Sequence, residues 1–218
     1  MHYQLLNKDH AYHKITISEI NSFKKYVPNI QKAFSLTKKH FIGKVKTYVY
    51  VVNSREIRSL PITFQNKHFM HLCGVKYVRG SRGFVNDLRK KKLDLQNLYL
   101  KNDGSTFQTL EVIDKIDLLD SLSTKVSIGN KMASIHYSNL LRTKSDILGI
   151  AVDTDNNGMN SPLSLLNLSI KDSHTLTLFK VVAILEENKT THVKRCSQIE
   201  EHCSEKVKVE IAKLISIS

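Results

Sequence analysis

Hydrophobic residues recur at three- and four-residue steps through Ile20, Phe23, Val27, Ile30 and Phe34, the spacing of an amphipathic helix. Thr16 and Glu19 stand just ahead of that run at capping-box separation, so the helix is expected to open there. Pro28 is expected to kink or interrupt it, because proline lacks a backbone donor and clashes with the preceding turn. The period then changes to two. Lys44 to Val52 (KVKTYVYVV) alternates cleanly, and Ile57 to Phe64 repeats the alternation after the turn Asn53-Ser54-Arg55-Glu56, which predicts a β-hairpin. Pro61 places the second strand at a sheet edge, since it cannot donate to a ladder.

From Asn66 to Leu93 a mixed apolar and histidine segment runs into a loop bearing Gly and Arg, then into a short basic helix from about Ser81. Further along lie a strand near Leu98, the turn Asn102-Asp103-Gly104, and a helical pattern on Leu110, Ile113, Ile116 and Leu119. A strand at Ile147 to Val152, the polar turn DTDNNG, the segment SPLSLLNL and a β-prone run from Leu176 to Leu185 follow. Ser197 and Glu200 are read as opening a final helix, with Ile199, Cys203, Val207, Ile211 and Leu214 on one face. The order α, β, β, α, β, α, β, β, α predicts one α+β domain with a largely antiparallel sheet over 16–190. A polar leader over 1–15 precedes it and a helical extension over 191–218 follows it.

Charge changes this picture more than composition does. The chain of 218 residues carries a net +13, and the residues up to Leu100 hold 19 basic against 5 acidic side chains, so the later residues are close to neutral. Such asymmetry points to a polyanionic partner, nucleic acid or an anionic surface. With 41% hydrophobic residues, eight Gly and three Pro, wholesale disorder is excluded. No apolar run reaches the roughly 20 residues of a membrane span, the opening MHYQLLNKDH has no signal-peptide pattern, and three cysteines without framework spacing fit a reducing compartment. The expectation is a cytoplasmic protein with no membrane partner.

Several constellations can be weighed on chemistry. DTDNNGMNSPLS places acidic or amide groups and Gly158 as a calcium loop would, but Ser164 stands where a bidentate glutamate is needed, and a hairpin turn accounts for the same residues. His192, Cys196, His202 and Cys203 match no usual zinc spacing. No phosphate-binding glycine loop, nucleophile elbow or HExxH helix is present. Neither a metal nor another cofactor is expected. His71, inside HFMHLCG, titrates near neutral pH and precedes a cationic loop, so it suits proton transfer at a phosphodiester; a core histidine satisfied by backbone is the alternative. Arg142 suits a phosphate clamp or a surface ion pair, and Ser164 a hydrogen bond to a phosphate oxygen or a helix cap. Lys76, Tyr77, Arg79, Arg82, Arg89, Lys90, Lys91 and Lys92 form the expected nucleic-acid contact, although cations ending a helix are also favoured by its dipole.

The segments NKHFMHLCGVKYVRGSRGFVNDL, KNDGSTFQTLEV, LLRTKSDILGIAV and SPLSLLNL resemble the fourth group of phage-associated barnase/EndoU/colicin/RelE-like nucleases. A looser likeness in SFKKYVPNIQKAF and VKTYVYVV extends it over about Ile17 to Val182. The resemblance implies a ribonuclease-toxin fold, with helices packed on a small antiparallel sheet whose exposed face holds the site, and metal-independent cleavage of RNA by its own 2′-hydroxyl. It assigns His71 as acid or base, Arg142 as phosphate cation, Ser164 as a polar group on a late strand, and Thr106 near them. A lysine is expected in the block TFQTL, where Thr109 stands, so activity is expected to be slow, absent or dependent on Lys76 or Lys131. RNA and an antitoxin or immunity protein are the implied partners. An inactive nucleic-acid-binding protein of the same fold and a protein-interaction module with a basic face are the alternatives.

Overall fold

Alternating apolar positions produce the main sheet, and amphipathic helices pack on both of its faces. The computed structural model describes residues 11–53, 56–129, 131–132, 135–143, 147–155, 158–169 and 176–216. The expected turn at Ser54-Arg55, the middle of DTDNNG at Asn156-Asn157 and most of the leader lie outside the described residues, as does the Lys131 side chain.

The first element among the described residues is strand β1 (Tyr12–Lys14), so the expected polar leader contains a strand. Helix α1 (Ile17–Lys24) starts on the anticipated capping box, Thr16 and Glu19 each accepting from the other's backbone. The interruption expected at Pro28 divides the run into two helices. Helix α2 (Val27–His40) begins anew with Pro28 in its first turn, where a missing N–H costs nothing. Strands β2 (Lys44–Asn53) and β3 (Glu56–Thr63) pair antiparallel as the alternation requires.

NKHFMHL, left without an element by its pattern, forms helix α3 (Asn66–Leu72) with Phe69, Met70 and Leu72 buried. Strand β4 (Val75–Tyr77), helix α4 (Gly80–Arg89), strand β5 (Leu98–Lys101) and helix α5 (Ser105–Leu110) follow, and β1, β5 and β4 make a small antiparallel sheet. The helical pattern after Leu110 is realised as a 3-10 segment, Ile113–Leu119, packed on α2.

The remaining strands are β6 (Lys125–Ile128), β7 (Lys131–Met132), β8 (Ile135–His136), β9 (Asn139–Arg142), β10 (Leu148–Thr154), β11 (Asn160–Asn167), β12 (Phe179–Asn188) and β13 (Lys194–Ile199). SPLSLLNL therefore lies in a strand. Among the described residues the main sheet has eight strands in the order β11-β10-β9-β6-β12-β2-β3, with β13 also on β12, and its paired strands run antiparallel. It is larger than the small sheet expected. The terminal strands β3 and β11 touch one another, so the sheet is curled, and Pro61 sits on a terminal strand as its missing donor requires.

The final helix is displaced from its expected start. Lys194–Ile199 extends the sheet along β12, with Ser197 Oγ donating to the Ile184 carbonyl, and helix α6 covers only Glu205–Ser216. The backbone of this segment completes the free edge of a strand, and that outweighs the helical spacing of Ile199 and Cys203. Val207 and Ile211 of α6 pack on Val49, Val182 and Leu185, covering one side of the sheet. On the other side, Phe23, Ile30, Phe34, Phe69 and Phe84 meet Tyr48, Leu141, Ile150 and Ile184 in the principal core.

A charged side chain is buried beside that core. Lys46 is fully buried, its Nζ donating to Asp120 Oδ1 at 2.6 Å and Glu186 Oε1 at 2.5 Å. His40 bonds Asp120 at 2.8 Å, and Arg195 donates to the other Glu186 oxygen at 3.1 Å.

Candidate active site

His71 lies in the last turn of α3, on the exposed side opposite Phe69 and Leu72, one helical turn beyond Lys67. Partial burial of its ring lowers its pKa, and the Lys101 charge lowers it further. The imidazole is thus held neutral at pH 7. One turn earlier, His68 accepts from the Gln65 backbone, and its pKa is lowered to about 4, by burial first and then by Lys67, His71 and Lys189. Helix α3 stops because Gly74 takes a positive φ of 68°, a conformation that costs glycine little.

Thr106 fastens this corner together. Its buried hydroxyl donates to the Gly74 carbonyl at 2.7 Å and accepts from the Lys101 backbone at 3.0 Å. The role is therefore positional, since both capacities are spent on backbone. Thr109, one turn along α5, is also buried and donates to the Leu165 carbonyl at 3.1 Å, while Asn167 donates to the Gln108 carbonyl and to Glu111. Helix α5 is in this way stitched to β11. Thr109, buried with its hydroxyl spent on a backbone carbonyl, is a structural tie where a lysine was expected. Thr109→Val should remove about 1–2 kcal/mol of stability, the cost of a buried carbonyl losing its donor, read as a lower urea midpoint with an unchanged m-value.

Arg142 and Ser164 stand on the main sheet. Arg142 faces Gly149 across β9 and β10, and Ser164 faces Ala151 across β10 and β11, so both occupy the face shared with Leu140 and Leu166. Strand spacing sets their Cα atoms roughly 12 Å apart. They are 2% and 6% exposed, so neither lies on an open sheet face as the resemblance implies. A Cβ at Gly149 would come within 2.9 Å of Leu168, which shows how closely this face is packed. The pairing thus brings Arg142 and Ser164 to one face and His71 and Thr106 to one corner, and α5 ties that corner to β11 on the Leu165 side, the face opposite Ser164.

The loop and helix after His71 divide into structural and exposed groups. Tyr77 is buried, its hydroxyl donating to Asp87 at 2.7 Å, and burial with that bond raises its pKa to about 12. Arg79 grips the same carboxylate with 2.9 Å bonds to both oxygens. Lys76 lies 4.5 Å above the Tyr12 ring, and burial lowers its pKa. Arg82, Arg89, Lys90, Lys91 and Lys92 are exposed. Arg89 reaches Asn66 at 3.3 Å and stacks 5.6 Å from the Phe34 ring. It borders two clefts, one of about 440 Å³ that includes Lys67 and Arg82, the other of about 230 Å³ that includes Lys38 and Lys91. Neither cleft has an acidic residue in its wall.

Sequence reasoning missed Lys101, Lys67 and Lys38. The first is visible only once β5 pairs with β4, and the other two only once α2, α3 and α4 are packed together. The calcium-like segment is a hairpin between β10 and β11, with Gly158 at a φ of 74° and Asp155 accepting from the Met159 backbone. Cys196 and Cys203 pack beneath α6 in an apolar cluster. Among the described residues no group of three or more His, Cys, Asp or Glu side chains is arranged to hold a metal ion, and no helix is long and apolar enough to cross a membrane.

No curated protein and no solved structure matches the chain. A family model does, over residues 29–197, and it describes the phage-Barnase-EndoU-ColicinE5/D-RelE like nuclease 4 group. That span runs from α2 to β13 and takes in His71, Thr106, Arg142 and Ser164, while α1 and α6 fall outside it. The chain belongs to the phage-Barnase-EndoU-ColicinE5/D-RelE like nuclease 4 family, and nucleic acid is the substrate class that this membership implies.

Proposed function

We propose that the protein is a metal-independent endoribonuclease that cuts RNA by attack of a ribose 2′-hydroxyl on the adjacent phosphate. The observation that carries this reading is His71, exposed at the end of α3, held neutral and flanked by Lys101, one turn from a cleft walled by cations without acids. A neutral imidazole takes the 2′-hydroxyl proton. The 2′-oxygen to phosphorus bond forms as the phosphorus to 5′-oxygen bond breaks, and the departing oxygen takes a proton from water. Lys101 offsets the charge that builds on the phosphate. Arg142 and Ser164, below the surface, act through field and positioning; Thr106 holds the corner. Such an enzyme fits a toxin or defence effector in a cytoplasm, and an acidic antitoxin or immunity protein would complement its basic face.

Incubation with an RNA oligonucleotide in EDTA should give fragments ending in 2′,3′-cyclic phosphate, and the same sequence made of 2′-deoxynucleotides should remain whole. Binding of RNA without any cleavage would instead assign the fold to an inactive nucleic-acid-binding protein. Cleavage of the deoxy strand would remove the 2′-hydroxyl mechanism.

A further inference from the structure

The two clefts that meet at Arg89 differ in what lines them. In the larger, about 440 Å³, the cations Lys67, Arg82 and Arg89 surround the amide side chains of Gln65, Asn66 and Asn86 over Val85. In the smaller, about 230 Å³, Lys38, Lys91 and Arg89 stand with Phe34 and a single amide side chain, Gln31, against three amides in the larger. Among the described residues Arg82, Lys38 and Lys91 form no ion pair, and the Asn86 side chain makes no hydrogen bond. Unengaged cations beside an unengaged amide suit a ligand that brings both anionic oxygens and a planar hydrogen-bonding edge. A nucleotide is such a ligand. The larger volume lies within the range of roughly 300–1,000 Å³ typical of small-molecule sites, and a cleft between two helices admits one unstacked base where a duplex would be held off by its own width. Amide side chains read base edges through paired donor and acceptor, and RNA is read in this way mainly where its bases are splayed out of helices.

We infer that the cleft between α3 and α4 is a base-reading subsite for single-stranded RNA, in which Asn86 contacts the edge of one unstacked base while Arg82, Lys67 and Arg89 hold its phosphates and Lys38 and Lys91 receive the next phosphate. The inference rests on the nuclease reading and adds to it a substrate form and a source of sequence preference. It separates the cations that fix affinity from the amide that fixes choice.

The test uses the full-length protein and 2′-O-methyl octanucleotides of A, C, G or U, which lack the attacking hydroxyl, so binding is read whether or not the protein cleaves. Anisotropy titrations across a salt series should show single strands bound at least about tenfold more tightly than a 2′-O-methyl duplex of matched length. Arg82→Gln with Arg89→Gln should weaken every single strand and reduce the salt slope by about 2, one unit for each phosphate no longer neutralised. Asn86→Ala should keep the slope and compress the affinity differences among the four bases. All three side chains are exposed, and a thermal melt confirms the variants are folded. Equal binding of duplex and single strand, an unchanged slope in the double variant, or an unchanged base preference in Asn86→Ala each overturns the inference. Continued cleavage of ordinary RNA in such a case would leave the nuclease reading standing.

Discussion

Replacing His71 by alanine is expected to slow RNA cleavage by about 10²–10⁴-fold near neutral pH, the usual contribution of a positioned acid or base. Stability should scarcely change. His71 is exposed, and among the described residues its ring has no hydrogen-bond partner that its loss would strand, so the cost belongs to the surface class of about 0.5 kcal/mol or less. The pH profile carries the sign of the argument. Burial and Lys101 both lower the pKa of His71 below 6.5, so the active neutral form persists into mildly acidic solution, and the rate falls only as pH drops through that lowered value. Lys101→Gln removes one of the two causes, so the acid limb should move upward toward the ordinary histidine range while the maximal rate declines. Single-turnover rates between pH 4 and 8, a range chosen about the ordinary histidine pKa of roughly 6.5, measure both effects. An acid limb unmoved by Lys101→Gln would remove Lys101 from the site, and full activity in His71→Ala would remove His71.

The largest effect on stability is expected at Lys46. Its ammonium is buried between Asp120 and Glu186, and truncation to alanine leaves two carboxylates facing one another without their shared cation. Breaking a buried pair by deleting one partner typically costs about 3–5 kcal/mol, which urea unfolding at pH 7 resolves easily. The triple variant Lys46→Met, Asp120→Asn, Glu186→Gln should recover much of that loss, because it removes the charges together. Burial alone would raise the Glu186 pKa, but Lys46, Arg195 and Lys44 outweigh it and hold the group at about 2 against an ordinary 4.5. Its stabilisation is therefore complete above pH 4.5 and is lost as pH falls toward about 2, where the unfolded chain has already taken up its proton. His68 acts at higher pH. Its folded pKa of about 4 lies below the ordinary 6.5, so acidification below 6.5 favours the unfolded chain as well. In the Lys46→Ala variant the Glu186 part of this loss should be diminished and the His68 part retained.

Legibility followed the range over which each feature is decided. The cap at Thr16 and Glu19 and the hairpin of β2 and β3 are settled by residues a few positions apart, and both appear where spacing places them. Lys46 reads as a solvent-facing position in an alternating strand because its carboxylate partners are 74 and 140 residues away along the chain. Tyr77 lies in a cationic loop and looks available to a base, yet Asp87, ten residues on, draws its hydroxyl into the core. Ser197 to Ile199 carries helical spacing, and only the unfilled edge of β12 explains why it becomes strand. Arg142 and Ser164 were legible as residue types through the resemblance, but their burial depends on the packing of Leu140, Leu166 and Leu168 across one sheet face. The charge excess before Leu100 was legible at once; its division into Arg79, exposed but ion-paired, and Arg82 and Arg89, which form no ion pair among the described residues, required the tertiary position of Asp87.

Helix α6 lies beyond the span that the family shares, yet its Val207 and Ile211 bury Val49, Val182 and Leu185, which lie on strands within that span. Phe23 of α1, fully buried in the principal core, stands outside the span at the other end. The segment that records common descent is therefore smaller than the segment that folds. A chain trimmed to residues 29–197 would carry every residue of the candidate chemistry and still present an apolar strip to water, the kind of surface through which proteins aggregate. What looks like peripheral decoration at either end is the part of the chain that covers apolar surface of the shared part.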